Sequence, residues 1–324
     1  MDTTSLPRCV REAKKSRGKN WILESLLALA VMAVASMPVS IVSTVYLFIS
    51  AMPMIMEMIG SGSSFFEIYN AVRTYAVSAD STAFLIMLIG EIFLIGGVLI
   101  FCLLIEKRTP RGTGLSPRGC IPKYLLGWVL GAAMMALIAA MCAISGDIRF
   151  VPVSEIRFGM ILLFLLGYTI QGAAEEFLSR GQHMLGLARR YGLATAVLLS
   201  SVFFGLLHVF NSHFSLLAMI NITLSGICFA LITLITDSIF CACAMHTAWN
   251  FLQGNVFGFS VSGNPLSPSV LNVTLTAGRG ALWTGGAFGP EAGLAATVVL
   301  LLTALVLFLI FFLKTRQREN VSAQ

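Results

Sequence analysis

Charge is what this sequence has least of. Its 324 residues hold 21 Lys+Arg and 15 Asp+Glu, 11% in all, where a water-soluble domain carries roughly 25%. Together with 57% hydrophobic residues and a mean hydropathy of +0.88, that shortage excludes a soluble globular domain. It excludes disorder too, which needs low hydrophobicity and high net charge. Histidine is scarcer still, at four. The seven cysteines (Cys9, Cys102, Cys120, Cys142, Cys228, Cys241 and Cys243) are odd in number and scattered, so no disulfide framework is read from them. Cys241 and Cys243 point apart on a helix, and the cysteines are expected as free thiols acting as small apolar residues. No internal repeat or low-complexity tract is visible.

Long apolar stretches, by contrast, are abundant. A membrane-spanning helix needs about 20 mostly apolar residues. Eight stretches qualify, at 22–51, 83–105, 124–145, 158–178, 193–209, 216–236, 238–252 and 292–313. The expected fold class is therefore all-α, a polytopic membrane bundle of about eight spans. Pro38 implies a tilt or kink in the first, and polar residues interrupt the seventh. The organisation reads as a basic tail (1–20), a three-span scaffold and gate (21–150) and a core of spans four to seven (151–256). An outer loop (257–291) and a last span with a second basic tail (292–324) complete it. Two connections are longer than needed. The first, 52–82, places Phe65, Phe66, Ile68, Tyr69, Val72 and Tyr75 as in a short interfacial helix. The second, 254–290, is rich in Gly, Ser, Thr and Pro. Neither shows a chemical signature.

The net charge of +6 might suggest nucleic acid, but the basic residues sit at span ends. Arg8, Arg11, Lys14, Lys15, Arg17 and Lys19 precede span one, and Lys107, Arg108, Arg111, Arg118 and Lys123 follow span two. Arg180, Arg189 and Arg190 lie around the turn after span four, and Lys314, Arg316 and Arg318 follow span eight. Those seventeen share one side of an eight-span chain, leaving Arg73, Arg149, Arg157 and Arg279 opposite. By the positive-inside rule both termini are expected in the cytoplasm. Ala33-Val34-Ala35 resembles a signal-cleavage site, but apolar sequence continues past it, so an uncleaved span is expected. The ending Val321-Ser322-Ala323-Gln324 lacks the Cys of a prenylation signal.

Ionisable residues inside spans are costly and mark function or pairing. Here they gather in three places: Glu175, Glu176 and Arg180 in span four, His208 in span five, and His246 with Asn250 in span seven. Adjacent helical residues point about 100° apart, so Glu175 and Glu176 have different tasks. Glu176 stands four residues before Arg180, the spacing of an ion pair. That leaves Glu175 unpaired, a desolvated carboxylate suited to general-base work. Arg190 marks the turn between spans four and five, and Glu175 and His208 lie 15 and 18 residues from it, at a common depth. His246 and Asn250 share one helix face. A carboxylate and a histidine can activate water while His246 and Asn250 donate to an oxyanion, which suits amide hydrolysis.

Glu175-Glu176-x-x-x-Arg180, Phe204-x-x-x-His208 and His246-x-x-x-Asn250 resemble the motifs of the intramembrane endopeptidases related to CAAX prenyl protease 2. That family (CAAX protease and bacteriocin-processing) includes the lysostaphin-resistance type proteins. Order, internal spacing and placement on three spans all match, over about 158–252. The resemblance implies Glu175 as water-activating base with His208 beside it, His246 and Asn250 as oxyanion hole, and Arg180 holding Glu176. It implies a membrane-associated protein or peptide as substrate and a bacterial cell membrane as location. The family has been called metallopeptidase, and Glu175, His208 and His246 are possible Zn²⁺ ligands. A metal-free reaction is favoured, because Asn250 is a poor zinc ligand and a good oxyanion donor.

Other residues carry plainer expectations. Arg180 is read as structural, Phe204 as packing beneath the site, and Trp249 as packing or cavity lining. His183 and His213 are expected in solvent. Glu91, in mid-span two, is expected to make a polar contact to another helix, with a substrate-path role as the minority reading. No histidine is followed by Glu and no Gly-x-Ser-x-Gly occurs, so neither the H-E-x-x-H zinc helix nor the serine elbow is present. A proton-coupled transporter using Glu91 and Glu175 is an alternative, weakened because polar motifs lie only in the second half. A non-proteolytic membrane regulator is another.

Overall fold

The computed structural model describes residues 6–77, 81–264, 268–276 and 281–322. Arg279, the Arg73 side chain, Ala323 and Gln324, all read above, lie outside that description, as do parts of the tail 1–20 and of the connections 52–82 and 254–290. Lipid offers a backbone no hydrogen bonds, so apolar runs close them internally as helices. Eight helical stretches stand where the eight spans are expected. Among the described residues six are long and apolar enough to cross a membrane: Trp21–Gly60, Ser81–Ile105, Cys120–Ile144, Phe158–Ala188, Leu216–Thr236 and Leu294–Asn320.

In chain order, α1 is Arg8–Ala13, α2 Trp21–Gly60, α3 Phe65–Val77, α4 Ser81–Gly90 and α5 Ile92–Leu99, continued by a π-helical segment Ile100–Ile105. α6 is Cys120–Ile144 and α7 Phe158–Glu176, which runs through a second π segment, Phe177–Met184, into α8, Leu185–Ala188. α9 is Leu193–Leu206, α10 Leu216–Thr236, α11 Phe240–Phe251 with a third π segment Leu252–Val256, and α12 Leu294–Ser322.

Several boundaries differ from expectation. The first span does not end near residue 51 but runs 40 residues to Gly60 with Pro38 and Pro53 inside it. Span four continues past residue 178 to Ala188. Span five stops at Leu206, not 209, so His208 lies in a turn closed by His208 N–H to Gly205 O (3.1 Å) and Val209 N–H to Leu206 O (3.3 Å). The polar run Asn211-Ser212-His213 follows, with His213 in the left-handed region at φ 60°. Part of the basic tail packs on the bundle: α1 buries Cys9, Val10 and Ala13, and Cys9 N–H donates to Asp237 Oδ1 (2.7 Å), the left-handed residue that ends α10. The outer loop is not free either. Its strand β2 (Leu271–Leu275) pairs antiparallel with β1 (Ile148–Pro152), Ile148 opposite Leu275 and Pro152 opposite Leu271. The short helix expected in 52–82 does form, with Phe65, Phe66 and Tyr69 exposed on α3. Six cysteines are buried, Cys120 is half-buried, and all are free thiols.

α11 is the axis of the molecule, buried at every residue from Cys241 to Phe251. Glycines let its neighbours approach to backbone contact. A Cβ on Gly127 would come 2.0 Å from Cys241 O, and one on Gly131 2.2 Å from Met245 O. This is the small-xxx-small spacing of close helix pairs. On the other flank Gly172 of α7 faces Thr247 N, where a Cβ would lie at 3.0 Å. Because α11 meets protein on all sides, it needs no lipid-compatible surface, and that is why its sequence is interrupted by polar residues.

A second set of contacts joins the N-terminal half to the core. Arg189 donates to Glu24 Oε1 and Glu106 Oε1, both at 2.8 Å, and Lys19 also pairs with Glu106. Arg108 Nε donates to Glu106 Oε2 (2.7 Å), while its Nη1 donates to the carbonyls of Gly181 and Gln182, both at 3.1 Å. His183 is not in solvent as expected. It is buried, with Nε2 2.9 Å from Ser25 Oγ and its ring against Phe203 at 4.3 Å. His213 is exposed.

Two expectations follow. Gly131→Leu overpacks the α6–α11 contact and lowers stability by about 1–3 kcal/mol, read as a lower unfolding temperature in detergent, whereas the same change at Gly96, where a Cβ meets nothing within 4 Å, leaves that temperature unchanged. The second concerns pH. Burial alone would raise the Glu106 carboxyl, but Arg108, Lys19 and Arg189 bring it down from 4.5 to about 2. A carboxyl depressed on folding stabilises the fold above its unfolded value and loses that contribution as pH falls through the folded one. Acid unfolding of the wild type therefore has a component between pH 4.5 and about 2 that Glu106→Gln lacks, the variant being less stable at neutral pH by about 3 kcal/mol.

Candidate active site

Glu175 and Glu176 close α7, and the helix widens at once into its π segment, a feature frequent at functional sites. The Glu176–Arg180 pair forms at 3.0 Å with both side chains fully buried. Arg180 Nη2 donates to Gly226 O of α10 (2.9 Å), and its guanidinium lies over the rings of Phe204 (4.6 Å) and Phe229 (5.2 Å). Phe204 is thus a platform for a buried cation.

The same Glu176 Oε1 lies 3.2 Å from His246 Nδ1. The His246 ring stacks on Phe229 at 4.9 Å and 16°, and meets the edge of Phe204 at 5.9 Å. Held there, it presents Nε2 towards Glu175 Oε2 at 3.8 Å. Each carboxylate therefore addresses a different nitrogen of one imidazole. Gln171, one turn earlier on α7, donates Nε2–H to Glu175 Oε1 (2.6 Å) and accepts from Asn250 Nδ2 (2.9 Å). His208 Nδ1 lies 2.9 Å from Phe204 O. A carbonyl only accepts, so Nδ1 carries the hydrogen and Nε2 of the neutral ring is an acceptor.

His208, His246 and Asn250 line one cavity of about 30 Å³, with Gln171, Phe204 and Glu291 among its other walls. That is the room of about one water molecule, near 30 Å³ in the liquid. Trp249 also lines it. Glu175 opens instead onto a neighbouring cavity of about 380 Å³, whose walls share Gln171, His208 and Ser262 with the smaller one. The four expected residues thus surround two adjoining spaces. Glu91 also lines the larger one, and its Oε2 has no hydrogen-bond partner, so the expected helix-to-helix contact is not made through that atom.

Two participants carry no role in the sequence reading. Gln171 shares the face of Glu175 four residues before it, a signal that was there to be read. Glu291, just before α12, is buried and accepts from Gln253 Nε2 (2.6 Å), Ser262 N (3.0 Å) and Ser262 Oγ (2.9 Å). Burial pushes its carboxyl up, against the pull of those donors and of His208. Nothing in the local sequence marks it.

The zinc set fares differently. Among the described residues no group of three or more His, Cys, Asp or Glu is placed to hold a metal ion. Both histidines engage Nδ1, His246 with Glu176 and His208 with the Phe204 carbonyl of α9, and keep Nε2 open.

A polytopic helical bundle with a carboxylate–imidazole cluster inside it defines an integral membrane protein with an interior polar site. The family model described as type II CAAX prenyl endopeptidase, Rce1-like, matches residues 157–252. That segment is similar to the CAAX protease family, and it contains Glu175, Glu176, Arg180, Phe204, His208, His246 and Asn250. No curated protein and no solved structure matches the chain.

Arg180→Lys keeps one charge but cannot reach Glu176 and Gly226 O together or cover Phe204. The expected cost is about 3 kcal/mol, measured as unfolding in detergent, with Arg180→Met costing at least as much because Glu176 is then buried without its cation.

Proposed function

We propose that this chain is an intramembrane endopeptidase that hydrolyses a peptide bond in a membrane-associated protein or peptide without a metal. Glu175 and His208 hold the attacking water, His208 through its free Nε2. Glu175 takes a water proton as the oxygen adds to the carbonyl carbon. The oxyanion receives N–H from His246 Nε2, whose Nδ1–H is given to Glu176, and from the Asn250 N–H not used by Gln171. As the C–N bond breaks, Glu175 returns its proton to the leaving amine, giving a carboxylic acid and an amine. Glu176, Arg180 and Phe204 act by fixing the His246 ring. The basic clusters set both termini on the cytoplasmic side.

The observation that carries this reading is the water-sized cavity bordered by His208, His246 and Asn250, with Glu175 Oε2 3.8 Å from His246 Nε2. The family match supports the reaction class.

Cleavage of a membrane-peptide library by the purified protein in liposomes tests it. Glu175→Gln lowers kcat by about 10²–10⁴, and Asn250→Ala lowers it by about 10²–10³ with KM nearly unchanged. Chelator leaves the wild-type rate unaltered. Wild-type rates in both variants would overturn the assignment, and loss of activity with chelator, restored by zinc, would overturn the metal-free mechanism.

A further inference from the structure

The larger cavity of about 380 Å³ lies between α2, the α4–α5 junction and α7. It has more polar wall than its apolar surroundings explain. Ser43 Oγ, Glu91 Oε2 and Ser179 Oγ are all buried, have no hydrogen-bond partner among the described residues, and belong to residues lining it. Buried polar atoms are nearly always paired, so three orphans around one space point to a ligand that brings the partners. The charge is unbalanced as well. Glu91 and Glu175 both face the cavity, and among the described residues no lysine or arginine lines it. A carboxylate within a membrane bundle ordinarily pairs with a cation.

Glu91 is held there by the backbone. It interrupts span two between α4 and α5 at φ −65° and ψ −5°, with Glu91 N–H reaching only Leu88 O at 3.4 Å. The two walls are fixed to each other on either side of it. A Cβ on Gly90 would come 2.0 Å from Val39 Cγ2, and one on Gly97 2.7 Å from Ala35 Cβ. The junction between them is a fixed mount for one acidic side chain, and Gln171, Glu175 and His208 stand on the opposite wall of the same cavity.

We infer that this cavity is a substrate subsite for a basic side chain, lysine or arginine, close to the scissile bond, with Glu91 as its counter-ion and Ser43 and Ser179 as further hydrogen-bonding partners. The inference rests on the peptidase reading and adds to it a preference that the matched segment 157–252 does not contain, since Glu91 and Ser43 lie outside it.

The test uses the full-length protein in liposomes and N-acetylated fluorescent membrane peptides that differ only in carrying Lys, norleucine or Glu at successive positions, so that the side chain alone supplies charge. Binding by anisotropy and cleavage are read separately. At one position the wild type binds the lysine peptide about tenfold or more tighter than the norleucine peptide, and cleaves it with a correspondingly higher kcat/KM. Glu91→Gln erases that difference. Glu91→Asp retains part of it, and Glu91→Lys moves the preference to the Glu peptide. Equal binding of all peptides by the wild type, or an undiminished lysine preference in Glu91→Gln, overturns the subsite. So does a Glu91→Gln protein that unfolds at the wild-type temperature but cleaves nothing, since Glu91 would then act in the chemistry itself. Lysine-selective binding without cleavage by the wild type leaves the subsite standing and removes the peptidase reading.

Discussion

The arrangement depends on one imidazole held between two carboxylates. Glu176 reaches Nδ1 of His246 at 3.2 Å, and Glu175 stands 3.8 Å from Nε2. Neighbouring residues on a helix cannot normally address one target, since they diverge by about 100°. Here they do so because His246 comes from another helix, α11, packed closely against α7, and its ring reaches both carboxylates while resting on Phe229 and Phe204. Gly127, Gly131 and Gly172 supply that closeness, and Arg180 balances the charge beneath it. Remove the packing and the two carboxylates face nothing in common.

Around this centre the contacts are graded from rigid to open. The Arg180 guanidinium is fully buried, lies against the rings of Phe204 and Phe229, and is bonded to Glu176 and Gly226 O. The chain Asn250–Gln171–Glu175 is a single file of side-chain hydrogen bonds that orients the carboxylate without neutralising it. Beyond it lies space: first a volume fit for one water, then a larger chamber bounded by the N-terminal helices. A buried charge cluster on one side and a solvent-sized void on the other is the gradient that electrostatic preorganisation requires.

Much of this was legible from residues alone. Glu176 and Arg180 at four-residue spacing announced their pair, and similar separations from Arg190, 15 and 18 residues, set Glu175 and His208 at a common depth. Apolar length located a helix at each of the eight expected spans, six of them among the described residues long and apolar enough to cross a membrane. What failed had physical causes. His208 was placed on a helix because Val209 and Phe210 extend the apolar run, but the Asn211-Ser212-His213 turn ends α9 early. His183 read as solvated because it follows an apolar stretch. Span four in fact continues through that position, and Ser25, Phe203 and the Arg108 contacts cover it. Glu291 was invisible because its partners, Gln253 and Ser262, come from a loop with no periodicity to read.

A helix wound at constant pitch ties the direction of every later residue to that of every earlier one. The wide turns of Phe177–Met184 loosen that tie within a single rod. Before them the rod aims two carboxylates at the interior; within them it offers the carbonyls of Gly181 and Gln182 to Arg108. The angle between those two faces is set by the local winding and not by the count of residues separating them. One continuous helix thus carries both the anchorage of the N-terminal half and the orientation of the polar centre, with the wide turns beginning between the two carboxylates and the Arg108 contacts.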